Sequence, residues 1–266
     1  MSHDRFKVAA GTAQHLGDRA EQQDRVGIFT APRMPGSALF VLADGMGGKT
    51  GGAMAAQQVM STSKNLFEVF APAVETPNHL LTDIAHESHT VIRLSALSEE
   101  KEPHSTMVAL LLQPGRADWA WVGDSRLYLF RDGVLQTRTV DHSLVEQMVA
   151  QGKITPEQAI GHRLSNILVN VLGMEKPPRP AFGKVDKLVA GDCFLLCSDG
   201  LWAYFDEVEL GAILHANGPR AASEMLIKLA RERAEGHGDN CTLAIAKCEP
   251  VVEPPKPVMP PLSVRR

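Results

Sequence analysis

The sequence predicts an α+β fold in which antiparallel sheet lies at the centre and helices pack outside it. Three observations carry this expectation. Four short apolar runs crowd between Met107 and Gln136, with turns of two or three residues between them. Connections that short cannot hold a crossover helix, so those strands run antiparallel. Helical periodicity is confined to long stretches on either side of them, not alternated strand by strand as in a parallel fold. The 266 residues carry 44% hydrophobic side chains, enough for a sizeable core, and no internal repeat divides them.

The elements follow in chain order. Phe6-Lys-Val8-Ala-Ala10 alternates as a strand does, and Gln14 to Asp24 is polar. A short strand covers Val26–Phe29, and Ala38–Ala43 is a continuous apolar run typical of a buried strand. It stops at Asp44 and enters a Gly-rich loop, residues 45–52. Met54, Val59, Met60, Leu66 and Phe67 fall at helical spacing over 53–70, and Leu80, Leu81, Ile84, Val91 and Leu94 do so over 78–97. The middle strands are Met107–Leu112, Trp119–Val122, Leu127–Phe130 and Val134–Gln136. Residues 143–175 read as polar and helical, broken at Gly152, Pro156 and Gly161. A buried strand, Cys193–Cys197, ends at Ser198-Asp199-Gly200. Helices over 207–214 and 219–233 lead to a last strand, Cys241–Ala246. From Glu249 onward six of the 17 prolines occur without periodicity, so 249–266 reads as an extended, disordered tail after a single domain over 1–248.

Composition excludes several classes. Lys and Arg number 27 against 31 Asp and Glu, a net charge of −4, which lacks the basic footprint of a nucleic-acid binder. No apolar run approaches the roughly 18 residues of a membrane span, and the N-terminus lacks a signal-peptide layout. Cys193, Cys197, Cys241 and Cys248 have no CxxC spacing and read as buried thiols of a reducing, cytoplasmic compartment.

The chemistry concentrates in aspartates where apolar strands stop. Asp44 follows ALFVLA, Asp124 follows WAWVG, Asp199 follows CFLLCS and Asp239 precedes CTLAIA. A buried carboxylate needs a partner, and several at one sheet edge repel one another unless cations neutralise them. Hard oxygen ligands suit Mg²⁺ or Mn²⁺. Two such ions can deprotonate a shared water for in-line attack on phosphorus. A turn-closing role would explain any one of these residues but does not demand Asp four times. Arg19, upstream of the first core strands, carries a guanidinium suited to gripping phosphate.

Seven segments taken together give the chain a likeness. GDRAEQQD (17–24), ADGMGG (43–48), STMVALLL (105–112), WVGDSRLYLFRDG (121–133), DHS (141–143), LLCSDGLW (195–202) and GDNCTLAIA (238–246) resemble, in order and over about 6–248, the metal-dependent protein phosphatases of type 2C, particularly bacterial members. The resemblance implies a four-layer sandwich, two antiparallel β-sheets flanked by pairs of α-helices, with a binuclear metal centre of Mn²⁺ or Mg²⁺ between the sheets. It implies hydrolysis of phosphoserine and phosphothreonine on proteins by a metal-bridged hydroxide, without a phosphoenzyme. By its pattern Asp44 bridges both metals, Gly45 offers a carbonyl, Asp199 and Asp239 complete one metal's ligands, and Asp124 holds a third, weaker ion. Arg19 holds the substrate phosphate and Asp24 orients metal-bound water. Residues about 143–175 match the family's variable flap, and a serine/threonine kinase is the usual opposing partner.

The chain departs from the family in places. Gln22-Gln23 stands where Asn-Glu is usual, which removes a charge and predicts weaker metal binding. Lys49 replaces a frequent histidine, and His104 replaces a common glycine. Met46 takes the place of the catalytic histidine of eukaryotic members, so leaving-group protonation falls to water, with the third ion a candidate. Gln22-Gln23 also raises a rival, an inactive phosphatase fold acting as a binding module, which the intact Asp44, Asp199 and Asp239 oppose. A P-loop nucleotide hydrolase is suggested by residues 43–50. An Asp at the strand end would repel phosphates there, and the short connections of 107–136 do not build a parallel sheet. No Cys lies six positions before an Arg, so a thiolate phosphatase is excluded. His79, His86 and His89 read as a solvated helix face, and Trp119, Trp121 and Trp202 as packing residues.

Overall fold

The computed structural model describes residues 6–96 and 102–251, with backbone alone at 48–50. In chain order the elements are β1 (Phe6–His15), β2 (Arg25–Thr30), β3 (Ala38–Ala43), β4 (Gly45–Met46), α1 (Gly48–Val69) and α2 (Pro77–Ala96). There follow β5 (His104–Ser105), β6 (Met107–Gln113), β7 (Arg116–Val122), β8 (Arg126–Arg131), β9 (Val134–Arg138), α3 (Leu144–Ala150) and α4 (Pro156–Ala159). The chain continues through β10 (Ala181–Val185), β11 (Asp192–Cys197), α5 (Asp199–Trp202), α6 (Glu207–Ala216), α7 (Pro219–Arg233) and β12 (Cys241–Pro250).

Two five-stranded sheets form, ordered β1-β12-β11-β8-β9 and β10-β7-β6-β3-β2. Period-2 alternation assigns every central strand to two cores at once. In β3, Leu39, Val41 and Ala43 face α1 and α2, while Phe40 and Leu42 face the other sheet. In β11, Phe194 and Leu196 point between the sheets, while Cys193, Leu195 and Cys197 face α6 and α7. Strands with both faces buried must be apolar throughout, which is why ALFVLA and CFLLC lack alternation. Trp119 meets Phe194 edge-on across the inter-sheet core, ring centroids 6.1 Å apart. The result is the four-layer arrangement the resemblance implied. All four cysteines are free and buried, and burial pushes the thiols of Cys193, Cys241 and Cys248 up to about 12.

Several elements differ from the sequence reading. The strands of 107–136 do pair antiparallel, β6 with β7 and β8 with β9, but β7 and β8 belong to different sheets. The three residues between them cross from one sheet to the other. Strand β1 runs to His15 because β12 supplies a partner along its full length. For the same reason β12 extends to Pro250, so Glu249 and Pro250 belong to the strand, and Glu249 pairs with Lys7 at 3.4 Å. The remaining tail, 252–266, lies outside the described residues. The helical expectation for 143–175 fails beyond α3 and α4. Only Val145 of α3 is buried and nothing in α4 is, so no apolar stripe sustains a longer helix. The segment instead makes isolated bridges, Ser143 with Leu168 and Ser105 with Leu172. Strand β10 escaped notice because its alternation is shallow, with Phe182 partly exposed.

Candidate metal centre

The strand ends of both sheets meet at one edge of the sandwich. Asp44 sits between β3 and β4, Asp124 in the β7–β8 crossing, Asp199 at the first position of α5, and Asp239 two residues before β12. All four line one cleft of about 550 Å³, with Arg19, Gln23, Gly45, Met46, Asn166 and Leu168 among its other walls. The segments predicted separately from sequence are thus brought together.

Local chemistry fixes each acid. The Asp44 amide donates to Thr106 Oγ1 at 2.9 Å, and the Thr106 amide donates back to the Asp44 carbonyl at 2.9 Å. Thr106 Oγ1 also bonds Ser125 Oγ at 2.7 Å, which ties Asp44 to the turn carrying Asp124. Both hydroxyl residues are buried. Gly123 takes φ +106°, and a Cβ there would meet the Thr106 methyl at 2.6 Å, so the turn needs glycine. A Cβ on Gly45 would stand 2.0 Å from the Gly52 carbonyl oxygen, which is how closely α1 packs over the loop. Trp202 Nε1 donates to the Asp124 carbonyl at 3.0 Å. The neighbouring Arg126 is structural, gripping Asp141 bidentately at 2.8 and 2.7 Å and lying over the Trp202 ring.

Asp24 lies behind the cleft, 1% exposed. It accepts from Ser198 Oγ at 2.8 Å and also bonds Thr242 and the Asp44 carboxyl. Asn240 organises the arginine loop: its Oδ1 accepts from the Gln23 amide at 2.7 Å, and its Nδ2 donates to the Leu16 carbonyl at 2.7 Å and the Glu21 carbonyl at 3.0 Å. Asp18 closes the loop base by pairing with Arg231 at 2.8 Å through both oxygens, which holds its carboxyl down at about 2. Sequence reading named the acids and passed over Thr106, Ser125, Ser198 and Asn240. The signal was their position inside the same short motifs.

The electrostatics of the cleft are dominated by its buried carboxyls. Burial, reinforced by the neighbouring carboxylates, raises Asp24 and Asp124 to about 7 and Asp199 to about 6. Burial and then Asp24, Asp199, Asp124 and Asp239 push Asp44 well above the usual carboxylate range. A positive charge is present at the edge of this set: Arg19 Nη2 lies 2.5 Å from Asp239 Oδ2, with the arginine side chain 61% exposed. Among the described residues, a trio of ligand-type side chains with donor atoms all within 4.8 Å of one another occurs elsewhere, in Glu75, His79 and Asp83. There the His79 ring bonds Glu75 at 2.8 Å, an exposed ion pair in the stretch read as a solvated face. The cleft aspartates stand wider than that spacing as a trio. Of these acids Asp239 is paired to Arg19. All-oxygen donors, mutual repulsion and a cation already drawn to the set fit hard divalent ions. Lys49 contributes no described side chain, and no histidine is among the cleft walls.

Residues 11–231 match the protein phosphatase 2C family. A putative protein phosphatase 2C-type from Streptococcus pyogenes is 32% identical over 234 residues, covering 87% of this chain and 93% of that protein. The serine/threonine phosphatase of S. agalactiae superposes with a TM-score of 0.82 at 26% identity, over 91% of this chain and all of that one. The catalytic domain of the serine/threonine protein phosphatase PstP in complex with 2 manganese ions superposes at 0.77 and 29% identity, over 92% of this chain and all of that one.

Proposed function

The chain belongs to the protein phosphatase 2C family, and on that premise we propose that it removes phosphate from phosphoserine and phosphothreonine on proteins, by direct attack of water. The single observation that carries this is the convergence of Asp44, Asp124, Asp199 and Asp239 on one cleft beside Arg19. When bound, divalent ions supply a neutralising charge and a water nucleophile for in-line displacement at phosphorus.

The chain's own residues do the rest. Asp44, Asp199 and Asp239, with the Gly45 carbonyl, would hold two ions, and Asp124 would hold a third more weakly. Mn²⁺ and Mg²⁺ both suit these donors. Arg19 is at the cleft mouth on Asp239. There the guanidinium is placed to grip two phosphoryl oxygens. Asp24 acts through its bonds to Asp44 and Ser198, as a positioning residue for the nucleophile's site. Water attacks directly: the four cysteines are buried thiols away from the cleft, and its aspartates are taken up as ion ligands. Met46 lines the cleft where a histidine would serve as acid, so the leaving serine or threonine oxygen takes its proton from solvent. Gln23 supplies an amide to the wall and no charge, which weakens ion binding without abolishing it. The substrate's source is an opposing serine/threonine kinase.

The test is phosphate release from a phosphothreonine peptide with and without Mn²⁺, for wild type and Asp199→Asn. Release that needs Mn²⁺ and falls by about 10³-fold in the variant supports the reading. Equal release in both proteins, or none from wild type, contradicts it.

A further inference from the structure

His142 follows Asp141 in the chain, between β9 and α3, and no role in the chemistry falls to it. Its bonds nonetheless join three separate parts of the molecule. Its amide donates to the Gly123 carbonyl at 2.9 Å, and the Gly123 amide donates back to His142 Nδ1 at 3.1 Å. This locks it to the residue immediately before Asp124. Its carbonyl accepts from the Val169 amide at 2.9 Å. Asn170 Nδ2 reaches His142 Nδ1 at 3.0 Å, while the same side chain pairs with the Arg179 backbone at 2.9 and 3.1 Å. The imidazole stacks on Trp121, centroids 6.0 Å apart and planes 10° off parallel.

Both partners of Nδ1 are N–H donors, so that nitrogen must present its lone pair. The ring is therefore neutral, with its proton on Nε2. Burial favours the same state by holding the pKa below the ordinary value against the pull of Asp141. The segment so anchored is held at two places. Its far end is secured apart from His142: Leu172 is buried in the core and exchanges backbone bonds with Ser105 at 3.1 and 2.9 Å, and the Gly173 amide donates to His89 Nδ1 at 3.1 Å. Before that point Ile167 and Val169 are exposed, and Leu144 bonds the Ile167 carbonyl at 2.7 Å. Yet this segment brings Asn166 and Leu168 to the wall of the metal cleft.

We infer that His142 is a positioning residue: with Asn170 it latches residues 162–170 to the Gly123–Asp124 turn and so fixes the wall against which a phosphopeptide is held. The inference rests on the phosphatase reading of the cleft. A small aryl phosphate occupies only the phosphate site. A peptide extends past it and meets Asn166 and Leu168. The latch therefore governs binding of the peptide and leaves the small ester alone.

Two substitutions separate its parts. His142→Phe keeps the stack on Trp121 and removes the acceptor. His142→Asn places an amide oxygen near the position of Nδ1 and removes the stack. Kinetics in Mn²⁺ on a phosphothreonine peptide and on p-nitrophenyl phosphate are expected to show KM for the peptide raised about tenfold in His142→Phe, the scale of one or two lost hydrogen bonds. Values of kcat, and KM for the small ester, stay within about twofold, and His142→Asn recovers most of the peptide KM. Equal loss on both substrates, no loss on either, or His142→Asn behaving as His142→Phe would overturn the inference. Amide hydrogen exchange across 162–170, faster in His142→Phe than in wild type, reads the latch without activity. Unchanged exchange there sinks the latch, whereas an inactive wild type with the exchange difference intact sinks only the phosphatase reading.

Discussion

Buried carboxylates in this sandwich are treated in two ways. Away from the cleft, Asp192 at the start of β11 is 0% exposed and meets Arg131 through both oxygens at 2.7 and 3.2 Å, with the Val189 amide adding a third bond. Asp118 in β7 is likewise held by Arg116 at 2.8 and 2.6 Å. These acids carry their counter-charge within the fold. At the cleft, Asp44, Asp124 and Asp199, with Asp24 behind them, raise one another's pKa, and Arg19 in the cleft wall contacts Asp239. An acid with a built-in cation serves the fold. A group of acids without one is a stored unfavourable interaction that an external cation relieves. The two kinds look alike in sequence, since Asp192 also borders a strongly apolar strand.

The sharpest way to break this comparison is to neutralise one member of each set. Asp44→Asn is expected to lower Mn²⁺-dependent turnover by about 10³-fold, while the metal-free protein gains stability by about 1–2 kcal/mol because repulsion is relieved. If its chemical denaturation shows lost stability instead, the cleft acids are not strained.

Acidity provides the next largest effect. Asp24 and Asp124 at about 7 and Asp199 at about 6 lie above their ordinary value of 3.8, so the folded, metal-free chain holds protons that the unfolded chain has released. Stability in chelator therefore falls as pH rises from about 4 through about 8, by several kcal/mol. Melting followed across that window checks the sign. Saturating Mn²⁺ is expected to abolish or reverse the trend, since ions displace those protons.

Arg131→Met sharpens the other side. It leaves Asp192 buried with one amide partner and is expected to cost about 3 kcal/mol in urea denaturation, with kcat unchanged. The smallest effect belongs to the link between the two cleft strands. Thr106→Val removes the hydroxyl that accepts from Asp44 and pairs with Ser125, costing about 2 kcal/mol and weakening Mn²⁺ binding. Thr106→Ser restores both. Denaturation and titration of the two variants together separate lost packing from lost hydrogen bonding.

Much of this was legible beforehand, for identifiable reasons. A strand buried on both faces must be apolar throughout, so β3, β6, β11 and β12 announced themselves, and the aspartates ending or opening them marked the cleft. The segment at 143–175 misled because polar periodicity without a buried stripe does not sustain a helix. The β7–β8 crossing could not be read, because a three-residue connection looks the same whether strands pair or change sheets. The second layer of the site was missed because hydroxyls and amides such as Thr106, Ser198 and Asn240 gain their meaning only from contacts between distant segments. The tie between the Gly123 turn and Asn170 was equally invisible, since it depends on one imidazole nitrogen facing two donors.

The central claim is that the cleft acids lack the cation the rest of the fold supplies to its buried carboxylates. Calorimetric titration of Mn²⁺ into metal-free wild type and Asp199→Asn, in buffers of different ionisation enthalpy, tests it most directly. The account predicts saturable binding of at least two ions with release of protons, and affinity weakened about tenfold or more in the variant. Absence of saturable binding to wild type, or identical binding isotherms for both proteins, would contradict it.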